Sequence, residues 1–207
     1  MIGFYNYTVI LTYISLVCSV IGISFAVSGN TLVAILCLLI SGCCDMFDGR
    51  IARAKKDRTP DEENFGMEID SLCDLVCFTA LPAVIAYCLG GNHILAIFSG
   101  ALLVLCGVIR LAYFNVLEMK RKAETPDAPT EYRGLPVTVA ALIFPAVYLL
   151  KDVCGTLFPT VFQCSLIITA ILYVLNFRIK KPGIKGVLAM AAAGTVIAVI
   201  AIVTHII

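Results

Sequence analysis

The stretch Asp45–Asp74 reads DMFDGRIARAKKDRTPDEENFGMEIDSLCD, and its place between two apolar runs decides what kind of molecule this is. Asp45, Asp48, Asp70 and Asp74 stand on the ends or inner turns of hydrophobic segments, not in the polar loop between them. A carboxylate beside hydrocarbon is costly, by roughly 3 kcal/mol near a bilayer centre. Four facing one another also repel, unless positive charge lies between them. Such a group reads as a functional site, most simply a site for divalent cations.

The rest of the chain supports a membrane setting. Its 207 residues are 60% hydrophobic and only 14% charged, with a mean hydropathy of +0.99. Soluble domains are nearer half apolar and about a quarter charged. The composition predicts an all-α fold, a polytopic transmembrane bundle of six to seven helices; the aspartates and the charge distribution add a di-metal site facing the cytoplasm. Apolar segments are expected at 9–27, 31–49, 65–89, 93–117, 135–150, 157–177 and 184–206, against the about 20 residues that cross a bilayer. The fifth is the weakest, being short and containing Pro145. Ser28-Gly29-Asn30 and Gly90-Gly91-Asn92 read as tight turns joining antiparallel neighbours. The start of the chain has no Lys or Arg ahead of its apolar run and reads as an interfacial lead, not a signal peptide.

Charge orients the bundle. Of the 15 Lys and Arg residues, all but Lys151 and Arg110 fall in three loops: after segment two, after segment four and after segment six. The excess marks the cytoplasmic side and puts Asp45–Asp74 there, in a multi-pass protein of the cell membrane. The loops RAKKDRTPDEENF and EMKRKAETPDAPTEYR read as solvated connections. The ten cysteines lie mostly within apolar runs and contain no CxxC pair, so they read as packing residues. No nucleic-acid partner is expected.

Helix spacing pairs the aspartates. Asp45 and Asp48 are i,i+3, and Asp70 and Asp74 are i,i+4, so each pair shares a face. Gly66 extends the second face by one turn. Two antiparallel helices joined by a loop can bring both pairs to one depth. An oxygen-only ligand set suits Mg²⁺ or Mn²⁺, or Ca²⁺. Two such ions about 4 Å apart would clamp a phosphoryl or pyrophosphate group. Gly49, Ala52 and Gly66 leave room for a bulky ligand, and Arg53 can face a phosphate. An aspartate-based cation transporter is the alternative from another class; it leaves the glycines and Arg53 unexplained.

The pattern D-x2-D-G-x2-A-R…G-x3-D-x3-D, carried by Asp45, Asp48, Gly49, Ala52, Arg53, Gly66, Asp70 and Asp74, resembles the signature of the CDP-alcohol phosphotransferase family. All eight fixed positions match. The resemblance implies one integral membrane domain over 1–207, with its core at about 9–178 and an additional C-terminal helix at 184–206. It also implies transfer of a phosphatidyl or related group from a CDP-linked donor to an alcohol, with release of CMP. Asp45, Asp48, Asp70 and Asp74 would hold Mg²⁺ or Mn²⁺, two ions in all. Asp74, supported by Asp70, would be the catalytic base. Asp48, Gly49, Ala52, Arg53 and Gly66 would bind the nucleotide end of the donor. A homodimer is implied as well.

Three further runs bear on the alcohol: DSLCDLVCF from Asp70, RLAYFN from Arg110, and GLP from Gly134. In this order they resemble the phosphatidylserine synthase branch. That branch implies CDP-diacylglycerol as donor and L-serine as acceptor; glycerol 3-phosphate or inositol phosphate is the alternative acceptor. Cys77 and Thr79 stand where the branch usually has a small hydroxyl residue and a glycine. Arg110 is an isolated guanidinium in an apolar helix and needs a partner: a donor phosphate, the serine carboxylate or an aspartate. Asn115 and Arg133 lie at the same end and complete the candidate acceptor pocket. Thr12 and Ser15 read as packing or backbone-bonding hydroxyls.

Overall fold

Small residues let the first two helices approach closely, and the rest of the bundle is built against that pair. A computed structural model describes residues 3, 7–55, 59–124, 132–179 and 184–206. Helix α1 (Ile10–Val27) turns at Gly29, which takes a positive φ of 87°, and returns as α2 (Thr31–Ala54). A Cβ on Gly22 would sit 2.8 Å from Cys37 Cβ, so only glycine permits this approach. Ser19 Oγ and Ser41 Oγ lie 2.8 Å apart. Ser41 Oγ donates to the Ser15 carbonyl at 3.1 Å. Membrane helices associate through such small residues and interhelical hydrogen bonds, because lipid removes the hydrophobic drive.

Helix α3 (Pro60–Leu75) passes through a π-helical turn, Val76–Ala80, into α4 (Leu81–Cys88). It starts earlier than the apolar pattern predicts. Thr59 and Glu62 form a reciprocal capping box, Pro60 occupies the first turn, and Asp61, Glu62 and Glu63 face the positive end of the helix dipole. The polar stretch after Thr59 is therefore helical, which corrects its reading as loop. At the π turn, Leu81 N–H bonds the Val76 carbonyl, five residues back. Thr79 Oγ1 donates to the Leu75 carbonyl.

Helix α5 (His93–Glu124) is likewise longer than its apolar part. Arg121 Nε donates to Glu118 Oε2 at 3.0 Å along its polar end, one turn apart. Gly107 brings α5 against the π turn, where a Cβ would meet Thr79 Cγ2 at 2.5 Å.

A 3₁₀ turn at Val137–Val139 leads into α6 (Ala140–Tyr148), followed by α7 (Lys151–Cys154), α8 (Phe158–Val174) and α9 (Ile184–Ile206). Helix α6 is short, but it runs across the bundle beside α2. Ala141 packs against Gly42, and the Tyr148 hydroxyl lies 3.2 Å from Thr31 Oγ1 at the other end of α2. A two-residue antiparallel ladder pairs Tyr132–Arg133 with Arg178–Ile179.

Among the described residues, five helical stretches are long and apolar enough to cross a membrane: Ile10–Val27, Thr31–Gly49, Pro60–Cys88, His93–Arg121 and Lys151–Val174. Val137–Tyr148 and Ala189–Val203 are shorter apolar helices. The fold is the all-α polytopic bundle that the composition predicts. Its core joins Leu38, Phe78, Leu81, Leu103, Phe144, Phe162 and Leu166 from five α-helices and the π turn. All ten cysteines are free thiols.

Candidate active site

Asp45 projects from the lower part of α2, and Asp70 and Asp74 from consecutive turns of α3. One carboxylate oxygen from each lies within 4.8 Å of the others. That spacing suits a shared hard cation. Oxygen ligands sit about 2.0–2.6 Å from Mg²⁺ or Ca²⁺, so two oxygens on opposite sides of one ion stand roughly 4–5 Å apart. The donors are all oxygen, which favours these ions or Mn²⁺ over zinc. The residues present thus fit the divalent metal that the aspartate pattern implies.

Asp48 is one turn from Asp45 and only 5% exposed. Its Oδ2 accepts a hydrogen bond of 2.9 Å from Thr12 Oγ1 on α1. It remains within electrostatic reach of Asp45, Asp70 and Asp74. Asp74 is 8% exposed and stands just before the π turn. Irregular turns of this kind occur often at functional sites, because they re-aim side chains without ending the helix. Cys77, on that turn, lies 3.4 Å from Ser15 Oγ, so α1 touches both carboxylate-bearing helices.

The nucleotide-side positions follow the aspartates. Gly49 is half-buried on α2, and Gly66 is half-buried on α3, one turn before Asp70. Ala52 and Arg53 continue α2, and their side chains lie outside the described residues. The side chain of Arg133, on the short ladder, does too.

Asn115 is brought to the site. It is buried on α5, and its Oδ1 accepts from Ser71 Oγ at 3.0 Å, next to Asp70. Arg110 is buried one and a half turns earlier. Its Nε donates to the Leu135 carbonyl at 3.2 Å, and its guanidinium lies 5.3 Å from the Phe114 ring centre. Its partners thus include a backbone carbonyl and an aromatic face, groups absent from the three candidates that charge alone suggested.

That carbonyl explains the GLP run. Gly134 has a φ of 77°, and a Cβ there would lie 2.9 Å from the Tyr173 carbonyl. Gly134 N–H donates to Phe177 O at 2.7 Å, and Leu135 N–H to Leu172 O at 3.2 Å. The turn is pinned to the end of α8 with the Leu135 carbonyl aimed at Arg110. Tyr173 completes this wall. It is buried, its hydroxyl donates to Val137 O at 3.0 Å, and it lies within electrostatic reach of Asp74 and Arg110. Sequence reasoning missed Tyr173 and Ser71. The available signal for Tyr173 was a phenol in an apolar helix, since a buried hydroxyl needs a partner.

Residues 5–207 match the family model for CDP-alcohol phosphatidyltransferase. The chain belongs to that family. Relatives include an archaetidylserine synthase of Methanothermobacter thermautotrophicus, 30% identical over 83% of this chain and 67% of the relative. A CDP-diacylglycerol–serine O-phosphatidyltransferase of Saccharomyces cerevisiae is 34% identical over 55% of this chain and 41% of its own length. One of Helicobacter pylori is 31% identical over 72% and 59%. The chain thus spans between two fifths and two thirds of these relatives. The family is one of transferases of phospholipid biosynthesis, and the Asp45, Asp70 and Asp74 oxygens of this chain could hold a divalent metal.

Proposed function

We propose that this CDP-alcohol phosphatidyltransferase moves the phosphatidyl group of CDP-diacylglycerol to the hydroxyl of L-serine, forming phosphatidylserine and CMP. The observation that carries this reading is the meeting of Asp45, Asp70 and Asp74 oxygens within 4.8 Å. The acceptor has support from the relatives, whose names all include serine while their lipid portions differ.

The serine oxygen attacks the phosphorus nearer the lipid. A new P–O bond forms, the bond from that phosphorus to the bridging oxygen breaks, and CMP leaves with that oxygen. Asp74 takes the hydroxyl proton as general base, with Asp70 beside it. Asp45, Asp48, Asp70 and Asp74 would hold Mg²⁺ or Mn²⁺, as two ions. When bound, the metal offsets the pyrophosphate charge and stabilises the departing CMP. Asp48, Gly49, Ala52, Arg53 and Gly66 receive the nucleotide end. Arg110, Asn115 and Arg133 line the acceptor side, where Arg110 and the Asn115 amide suit the serine carboxylate.

The site opens at the cytoplasmic face, where a lipid donor and a water-soluble acceptor can meet. The loops at the aspartate end carry the chain's Lys and Arg excess, and Lys151 lies at the other end beside Tyr148. The protein is a single membrane domain and a homodimer in this reading.

Purified protein with Mn²⁺ or Mg²⁺ and CDP-diacylglycerol is expected to release CMP only when L-serine is supplied. Equal release with glycerol 3-phosphate or inositol phosphate would remove the serine assignment. Metal flux in liposomes without any CDP or CMP binding would instead favour an ion pathway.

A further inference from the structure

Helix α1 carries no carboxylate, yet one of its side chains reaches into the aspartate pattern. Thr12, Ser15 and Ser19 follow one another at helical spacing, and all three are buried. Ser15 and Ser19 meet Ser41 on α2 and serve the helix contact. Thr12 differs, because its partner is a carboxylate of the signature: Oγ1 donates to Asp48 Oδ2 at 2.9 Å. A threonine inside a helix commonly spends its hydroxyl on a carbonyl three or four residues back. Here the hydroxyl crosses to a second helix.

We propose that Thr12 is a positioning residue for Asp48, setting the rotamer in which that carboxylate meets the cation; the proposal rests on reading Asp48 as a metal ligand. Asp48 is 5% exposed, so water alone does not orient it. A neutral donor suits the task. It anchors one oxygen without cancelling the charge that attracts the metal, as a lysine would. The α1–α2 contact is close, with Gly22 against Cys37 and the Ser19–Ser41 pair between the helices. Depth of α1 in the bundle thereby fixes the carboxylate. Partners of metal ligands that orient them typically matter by about 10–100-fold in metal affinity.

Mn²⁺ binding to the purified protein, followed by the loss of the free-ion paramagnetic resonance signal, tests this without turnover. Thr12→Val keeps the shape and removes the donor; Thr12→Ser keeps the donor and removes the methyl. The expected result is an affinity lowered about 10–100-fold in Thr12→Val and close to the parent in Thr12→Ser. A packing role predicts the reverse order, or no change in either, and each of those outcomes overturns the proposal. If Thr12→Val yields no monodisperse protein, Thr12→Ala against Thr12→Ser makes the same comparison. Asp48→Asn separates the two readings. Normal Mn²⁺ affinity in Asp48→Asn removes Asp48 as a ligand. Weak affinity there with parental affinity in Thr12→Val removes only the role of Thr12.

Discussion

The two ends of this bundle are held together by different means. At the aspartate end, helices α1 and α2 are tied by hydroxyl hydrogen bonds, from Thr12 to Asp48 and from Ser41 to the Ser15 carbonyl. At the opposite end, Tyr148, Phe144, Phe158 and Phe162 interlock with ring centres 5.7–5.9 Å apart. There a buried amide, Gln163, donates to the Gly90 carbonyl at 3.0 Å. Aromatic packing needs only bulk and tolerates small shifts. A carboxylate group must be held to fractions of an ångström, and directional bonds between closely set helices do that. Chemistry therefore sits where side chains are small and polar, and bulk fills the end that does none.

The contrast breaks most clearly at Asp74. Asp74→Asn keeps the shape and removes the base, so CMP release should fall by about 10²–10⁴-fold, while CDP-diacylglycerol still binds; a radiometric release assay beside a donor-binding assay checks both. A second break lies in the wall that aims the Leu135 carbonyl. Gly134→Ala forces a positive φ on a residue with a Cβ, costing about 1–2 kcal/mol, and sets that Cβ against the Tyr173 carbonyl. The expected outcome is a higher KM for serine with donor affinity retained, read from initial rates at varied serine.

At the aromatic end the effect should move from rate to stability. Phe162→Ala empties the centre of the ring cluster and should lower stability by about 3 kcal/mol, the low end for such truncations, seen as an earlier thermal unfolding transition in detergent. The KM for serine should stay at the parent value. If it changed instead, the two ends would not be independent. Smallest is Gln163→Leu. Among the described residues the Gln163 Oε1 atom is buried with no hydrogen-bond partner. Removing it relieves one penalty and leaves the Gly90 carbonyl without its donor, so the thermal transition should shift by no more than about 1 kcal/mol.

Much of the site was legible before any fold was known, because a helix turns spacing into shared faces. The i,i+3 and i,i+4 aspartates, the turn at Gly29 and the basic loops are local facts. Even the early start of α3 was written in Thr59, Pro60 and Glu62, and apolar counting overlooked it. Local spacing alone could not show that Arg110 would be held by the Leu135 carbonyl. That carbonyl belongs to a turn placed by α8, whose end is 62 residues further along than Arg110 when counted at Leu172.

The sequence by itself determined the class of the molecule, the two aspartate pairs and the family chemistry they imply. Each depends on composition or on positions within one helix. Tertiary structure alone decided that Asp45 joins Asp70 and Asp74 in the tight group and that Asp48 takes a hydrogen bond from Thr12 on a third helix. It also decided that Tyr173 and Ser71 enter the wall of the site. The physical reason is that helix geometry sets the angle between residues of one helix. The distance between helices is set by what lies at their contacts, here Gly22 against Cys37, Gly42 against Ala141 and Gly107 against Thr79.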